Sequence, residues 1–507
     1  MNARIFTSVE VAFVLLMSLL AACGGGHGGT PYMPPPTPAP SPAPTASFSQ
    51  PAAGATLSYG QALTLTWTSA NSTACTAKTS SAAGGAFSGS VAASGTQTIV
   101  PTAAGSYTYT LSCSGMGGTI TATAGAKVNP NLLATIAPSG AIATVGSTVD
   151  PLNGDLNPYG LAIAPATAGL ITKGDLVVCN FNNAADNTTS PPSGNVQGAG
   201  TTIIGLHPAA GSPPYRIAQS AHLMGCNAIT MLADDTISAA AWSTVQNPAG
   251  ENPLVSATGA VSTPFSGDNF AGPWGEAYVA ATAAQPAAIY VSNAPGGATN
   301  SGGSIDRITL SGDVQMSFTE IATGFCSGGS PGSIFGPAGL TYDAAKDTLY
   351  VVNTASASVV AIAGVSSIGA DGVVVNGQCT PAATPTPVPT FSGPSAASAR
   401  VIAHGAPFNT PLSAALLSDG DLVVGNADIG LATPSATTNL LIEVSPVVPG
   451  GFVGQPLQID TGAPGAIFGI AATVDSAGNQ IVYFNDDNAA AVMQLGPVAA
   501  AGTTPGY

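Results

Sequence analysis

Few residues of this 507-residue chain have types and spacings that carry chemistry. Three histidines lie beyond the first 30 residues, His207, His222 and His404, and no two stand four apart as helical metal ligands would. No Gly-x-Ser-x-Gly elbow accompanies them, so no motif supports a nucleophilic triad. Glu276, in "GPWGEAYV", stands alone as a carboxylate inside an apolar pattern. A carboxylate placed there must be hydrated, paired or metal-bound. Trp242 and Trp274 can either stack on sugar rings or pack, and packing is the expectation. The seven cysteines contain no Cys-x-x-Cys pair, which argues against a zinc or thiol-redox centre.

The elements that position these residues recur. "TLYVVN", ending at Asn353, has counterparts ending at Asn180, Asn293, Asn426 and Asn485, and "DTISAAAW" places Ala240 there. The successive spacings are 60, 53, 60, 73 and 59 residues. Each copy follows a second recurring run, in which Glu276 aligns with Leu161, Ile229, Leu340, Ala415 and Ile470. Each precedes a third, such as "TTIIGL" or "SVVAIAG". A period of this length with about four short strands per unit predicts a β-propeller, here of six blades over residues 130–507. "LLATIAPSGAIATV", from Leu132 to Val145, is expected to supply the strand that completes the last blade. The recurring asparagines are assigned a structural role, capping the turn after strand two, because five copies imply a shared task.

The repeat resembles the NHL unit and related six-bladed propellers, a family that often has Asp where this chain has Asn. Propellers of the calcium-dependent gluconolactonase type hold a metal at the channel mouth. That resemblance implies an alternative in which Glu276, with some of the asparagines, binds calcium and the chain is a metal-dependent lactonase or esterase. Otherwise no cofactor is expected. In a blade, the turn after strand two and the link to the next blade share a face. The polar, uncharged insertions such as "NNAADNTTSPPSGNVQGAG" and "ADIGLATPSATTN" fall there, as would "TPAATPTPVPTFSGPS", read as the link between blades four and five. That face is the candidate interaction surface. The same geometry pairs Cys179 with Cys226 and Cys326 with Cys379, each pair stapling neighbouring blades.

Residues 47–129 alternate with period two, as in "LTLTWTS" and "YTYTLSC", and resemble the immunoglobulin-like modules of secreted bacterial proteins. Cys75 and Cys113 are expected to pair within this sandwich, which is read as a spacer. The fold class is therefore all-β, a small immunoglobulin-like sandwich followed by a six-bladed propeller. Ahead of it, Arg4, the apolar run Val11 to Leu20 and "LAAC" resemble a bacterial lipobox, with residues 1–22 as signal peptide and Cys23 as the lipid-bearing residue. Gly24 after it implies sorting to the outer membrane, facing the periplasm or the cell surface. Residues 23–46 form a Gly- and Pro-rich tether, with His27 a solvated residue in it. Its Pro-rich part reaches on the order of 50 Å. Eight scattered Lys and Arg against 24 acids leave a net charge of −16 and no basic patch, which excludes nucleic-acid binding. The expected function is a lipid-anchored envelope protein that binds or scaffolds a protein or glycan through its propeller loops. A third reading is a surface protein with no discrete ligand.

Overall fold

The computed structural model describes residues 37–139, 142–185, 194–242, 250–265, 270–283, 285–312, 314–330, 332–377 and 387–497. Cys23, His27 and Cys379 lie outside them. The chain divides into a first unit, Met1–Pro42, and a second, Ala43–Tyr507, to which both folded modules belong. Among the described residues no helix is long and apolar enough to cross a membrane.

The first module is a two-sheet sandwich between Thr45 and Val128, with three strands in one sheet and five in the other. Period-two alternation buries Leu63, Leu65 and Trp67 from one sheet against Tyr107, Tyr109, Leu111 and Cys113 from the other. Phe87 fills the centre, edge-on to Trp67 at 5.3 Å. Cys75 and Cys113 lie directly opposite on adjacent antiparallel strands and are disulfide-bonded, so this bridge runs along a sheet.

The second module is the six-bladed propeller. Its blades open with inner strands Leu156–Ile163, Cys226–Met231, Pro273–Val279, Pro337–Asp343, Pro411–Leu416 and Ile467–Val474. Each inner strand packs against the next, and the sixth packs against the first, which closes the ring. Within the first five blades the four strands are antiparallel and follow sequence order. Second strands such as Leu176–Asn182 and Thr348–Asn353 are buried along their whole length, because both faces meet a neighbouring blade. The outermost strand of blade six is Ala143–Ser147, paired antiparallel with Ala491–Leu495.

The structure alters several expectations. Leu132–Ser139 is a helix, so only the second half of the expected closing stretch joins blade six. Its start is capped twice. Asn131 Oδ1 accepts from the Ala134 amide, and the Glu443 carboxylate accepts from the amides of Leu132 and Leu133. These bonds satisfy donors that a helix leaves open, and Leu133 and Ile136 bury beneath blades five and six. "TPAATPTPVPTFSGPS" does not link blades four and five. Ala399–His404, which follows it, is the fourth strand of blade four, so the segment is an insertion between strands three and four. Val373–Asn376, which precedes it, and Thr390–Ser392 within it pair as a hairpin added in parallel to the outer edge of blade three. Cys326 accordingly sits in Val314–Gly329, the fourth strand of blade three, and not in a blade link; it is disulfide-bonded.

Register corrects the repeat by one residue in three blades. Asn180, Asn293, Asn353 and Asn426 each stand opposite a proline of the inner strand, its opening residue in blades three to five and its third residue, Pro158, in blade one. In blade six the residue opposite Ile467 is Asp486, not Asn485, and in blade two the residue opposite Cys226 is Ala241, not Ala240. The residue equivalent to Glu276 in blade five is likewise Ala414, not Ala415. A bulge in the first pair of strands of every blade makes spacing along the chain unreliable by one, and one residue reverses the face a side chain meets.

Candidate functional site

Two classes of polar position follow from that register. Residues opposite the opening position turn inside their own blade. Asn293 Oδ1 accepts from the Ala271 amide, and its Nδ2 donates to Ser304. Asn426 accepts from the Asn409 amide and donates to the Pro407 carbonyl, while Asn180 donates to Thr202. Asp486 caps its own turn by accepting from Ala489. Asn353 is buried at the same position. Among the described residues, Asp486 makes the expected bond within the turn. The asparagines tie down the link entering the blade or the third strand.

The residue just before this position points the other way, toward the next blade. Cys179 there forms its disulfide with Cys226 of blade two. Ser292 Oγ donates to the Ala338 carbonyl of blade four at 2.7 Å. Asn485 Nδ2 donates to the Tyr159 and Gly160 carbonyls of blade one. One register position thus staples three blade boundaries with three chemistries.

Glu276 is buried between blades two and three. Its Oε1 accepts from the Ser238 hydroxyl at 2.9 Å, Asn252 donates to the same hydroxyl, and Oε2 has no partner. Burial, opposed by the Ser238 and Asn252 contacts, pushes its carboxyl up to about 8. At neutral pH it is therefore a neutral acid whose proton suits the open oxygen site. Among the described residues, the one group of three candidate metal ligands lies elsewhere, at Asp419, Asp421 and Glu443. Trp242 and Trp274 are buried, and Trp242 Nε1 donates to the Ala294 carbonyl. His207 Nδ1 contacts Asp175 at 2.6 Å, and Tyr215 donates to the same carboxylate. His222 Nδ1 contacts Glu251 at 2.7 Å. Each of these two imidazoles thus pairs with a carboxylate through Nδ1.

The residues that converge come from the starts of the inner strands. Tyr159, Asn227, Trp274, Leu412 and Phe468 meet around the axis and leave a cavity of about 70 Å³ in the channel. Tyr159 is stacked between Phe181 at 4.2 Å and Phe468 at 3.9 Å. Above this plug, on the face carrying the strand-two turns and blade links, lies a recess of about 240 Å³. Its floor is Tyr159, Trp274, Leu412 and Phe468, and its polar wall includes Asn157, Gln197, Asp428 and Asp487. A Cβ at Gly332, in the link into blade four, would stand 3.5 Å from the Gln197 side chain. The blade-one loop therefore reaches across to the far side of the ring.

Asn157 and Asp428 hold left-handed backbones, with φ of 65° and 50°, which asparagine and aspartate tolerate better than other side chains. The Asn157 Oδ1 is buried and has no partner. Asp428 is fixed by Asn409 and by the Asn439 amide, and burial raises its pKa. Asp487 is half-buried; burial and then the neighbouring Asp486 push it up to about 6. Among the described residues no basic residue lines the recess. Four of the other described bases are committed to the scaffold: Arg216 to Asp150, Arg307 to the Val365 and Ser366 carbonyls, Arg400 to the Pro446 carbonyl, Lys346 to Asp343. A strongly anionic ligand is therefore disfavoured.

The recess was invisible in sequence because its lining comes from blades one, three, five and six and from the link into blade four. The acidic group could have been sought, since Glu443 in "NLLIEV" interrupts an apolar strand as Glu276 does.

No protein-family model matches the chain, and no curated protein matches it. Among solved structures, a quinonprotein alcohol dehydrogenase-like protein of Bacteroides thetaiotaomicron aligns over 90% of this chain and 80% of its own, at 10% identity and TM-score 0.27. The extracellular domain of a hybrid two-component system protein from the same organism aligns over 76% of this chain at 9% identity and TM-score 0.35. An engineered protein aligns over 18% of this chain at 21% identity and TM-score 0.15. The chain spans 21% of that engineered protein and 44% of the two-component domain. Scores this low carry no functional weight. The six sheets and their closed ring establish the chain as an all-β protein with a six-bladed propeller.

Proposed function

We propose that this chain is a lipid-anchored envelope protein, tethered through Cys23, whose propeller binds a neutral glycan in the recess on its loop-bearing face. The carrying observation is the recess itself, about 240 Å³ with an aromatic floor, an amide and carboxylate wall, and no cation. Ligand pockets of this kind pair apolar platforms with a few fixed polar groups. Phe468 supplies the partly exposed ring. Gln197 and Asp487, both reaching solvent, supply acceptors for hydroxyl donors. The sandwich and Pro-rich tether fit a spacer that lifts this face away from the bilayer.

The test is a glycan array probed with the full-length protein, followed by calorimetry on any hit. Phe468→Ala and Asp487→Asn should each weaken binding about tenfold or more, in line with the loss of a stacking contact or a hydrogen bond in a buried site. Retained affinity in both variants, or capture of a polypeptide in place of any glycan, would reject the glycan assignment.

A further inference from the structure

On the face opposite the recess, three acids meet at the base of blade five. Asp419 and Asp421 belong to the turn joining strands one and two, and Glu443 stands near the end of strand three, Leu440–Val444. A carboxylate oxygen from each lies within 4.8 Å of the others. Asp421 and Glu443 are buried, at 2% and 1% exposure. A second observation points inward. The Ser445 hydroxyl is fully buried and has no hydrogen-bond partner, yet it stands beside the Asp421 carboxylate. Lys346, itself held by Asp343, supplies one positive charge against the three acids. The first turn of the Leu132–Ser139 helix gives Glu443 two amides, a partial charge that leaves most of the acidity uncompensated.

We infer that Asp419, Asp421, Glu443 and the Ser445 hydroxyl form a site for one calcium-type divalent cation. All four donors are hard oxygens on separate side chains, a set that suits calcium and offers nothing to softer metals. The cation would act at the junction of the two modules. Ser58, in the sandwich loop, adjoins Asp421, and a Cβ at Gly60 of the same loop would stand 3.6 Å from Val448 of blade five. Glu443 in turn holds the linker helix. One ion therefore draws the sandwich loop, the linker and blade five to a single point, and the site governs how firmly the sandwich is seated on the propeller.

The experiment uses the full-length protein. Metal content is measured after purification, and melting is recorded with calcium and with EDTA. Terbium is titrated with excitation through tyrosine, because Tyr350 lies in the electrostatic reach of Asp421. One calcium per chain is expected, with a melting temperature that falls in EDTA and returns on adding calcium. Asp419→Asn alters the most exposed ligand and should fold, weakening calcium by about tenfold, since charge count tunes such sites. Asp421→Asn should abolish stoichiometric binding. Proteolysis within residues 129–142 should accelerate in EDTA. Asp475→Asn, at an exposed turn of blade six, is the control and should change none of these readouts. A wild-type protein with no divalent ion and an EDTA-indifferent melt would overturn the inference. So would calcium binding that survives Asp419→Asn and Asp421→Asn unchanged. Glycan binding on the far face is read separately, so either assignment can fail without the other.

Discussion

Glu276 shows how one residue separates two readings of the propeller. Its neutral form is favoured by burial between blades, and its folded pKa of about 8 lies above the ordinary 4.5. The folded state then keeps a proton that the unfolded state has lost, so stability falls as pH rises through that window. Glu276→Gln keeps the hydrogen bonding and removes the charge. Its advantage over the wild type should grow from about pH 5 to about pH 9, reaching on the order of 4 kcal/mol by chemical denaturation. A metal-bound, ionised Glu276 predicts the reverse, a variant less stable near neutrality. Asp306 behaves alike: burial and nearby Glu320 hold it up at about 8, against a hydrogen bond from Asn293. The wild-type melting temperature should therefore decline from mildly acidic to alkaline pH.

At the scale of elements, blade boundaries are held by one register position. Cys179, Ser292 and Asn485 each reach the inner strand of the following blade. Replacing Cys179 and Cys226 together by serine should cost about 2–4 kcal/mol, measured by urea unfolding under non-reducing conditions. Ser292→Ala removes a buried hydroxyl that accepts from Gly275 and donates to Ala338, and should cost about 1–3 kcal/mol. Both variants should keep their far-UV circular dichroism, because the other boundaries retain inner-strand packing. Asn353, whose Oδ1 lacks a partner, should tolerate substitution by Asp better than Asn426, whose amide donates to the Pro407 carbonyl.

At the scale of the molecule, the ring is closed by two segments far apart in sequence. Ala143–Ser147 completes blade six, and Val145 is buried with Leu161, Leu176 and Val492. Val145→Asp places an uncompensated charge in that seam and should cost about 3–5 kcal/mol, whereas Leu152→Asp at an exposed position should change the melt little. The ring also sorts function by face. Strand-two turns and blade links carry the recess, while strand-one turns of blade five carry the acidic group.

The amino-acid sequence by itself determined the class of fold, the number of blades and the sandwich core, because period-two alternation and a repeat near 60 residues are local signals of burial. It also determined two disulfides, Cys75–Cys113 and Cys179–Cys226, once strands were assigned. Tertiary structure alone decided the register of blades two, five and six, since a bulge shifts the ladder without leaving a mark on hydrophobicity. It decided that Leu132–Ser139 is helical, through a carboxylate contributed by Glu443, more than 300 residues away. It decided, too, that the Pro- and Thr-rich insertion belongs within blade four. The recess and the acidic group are of the same kind. Each is assembled from short-range contacts between residues far apart along the chain, and ring closure brings them together.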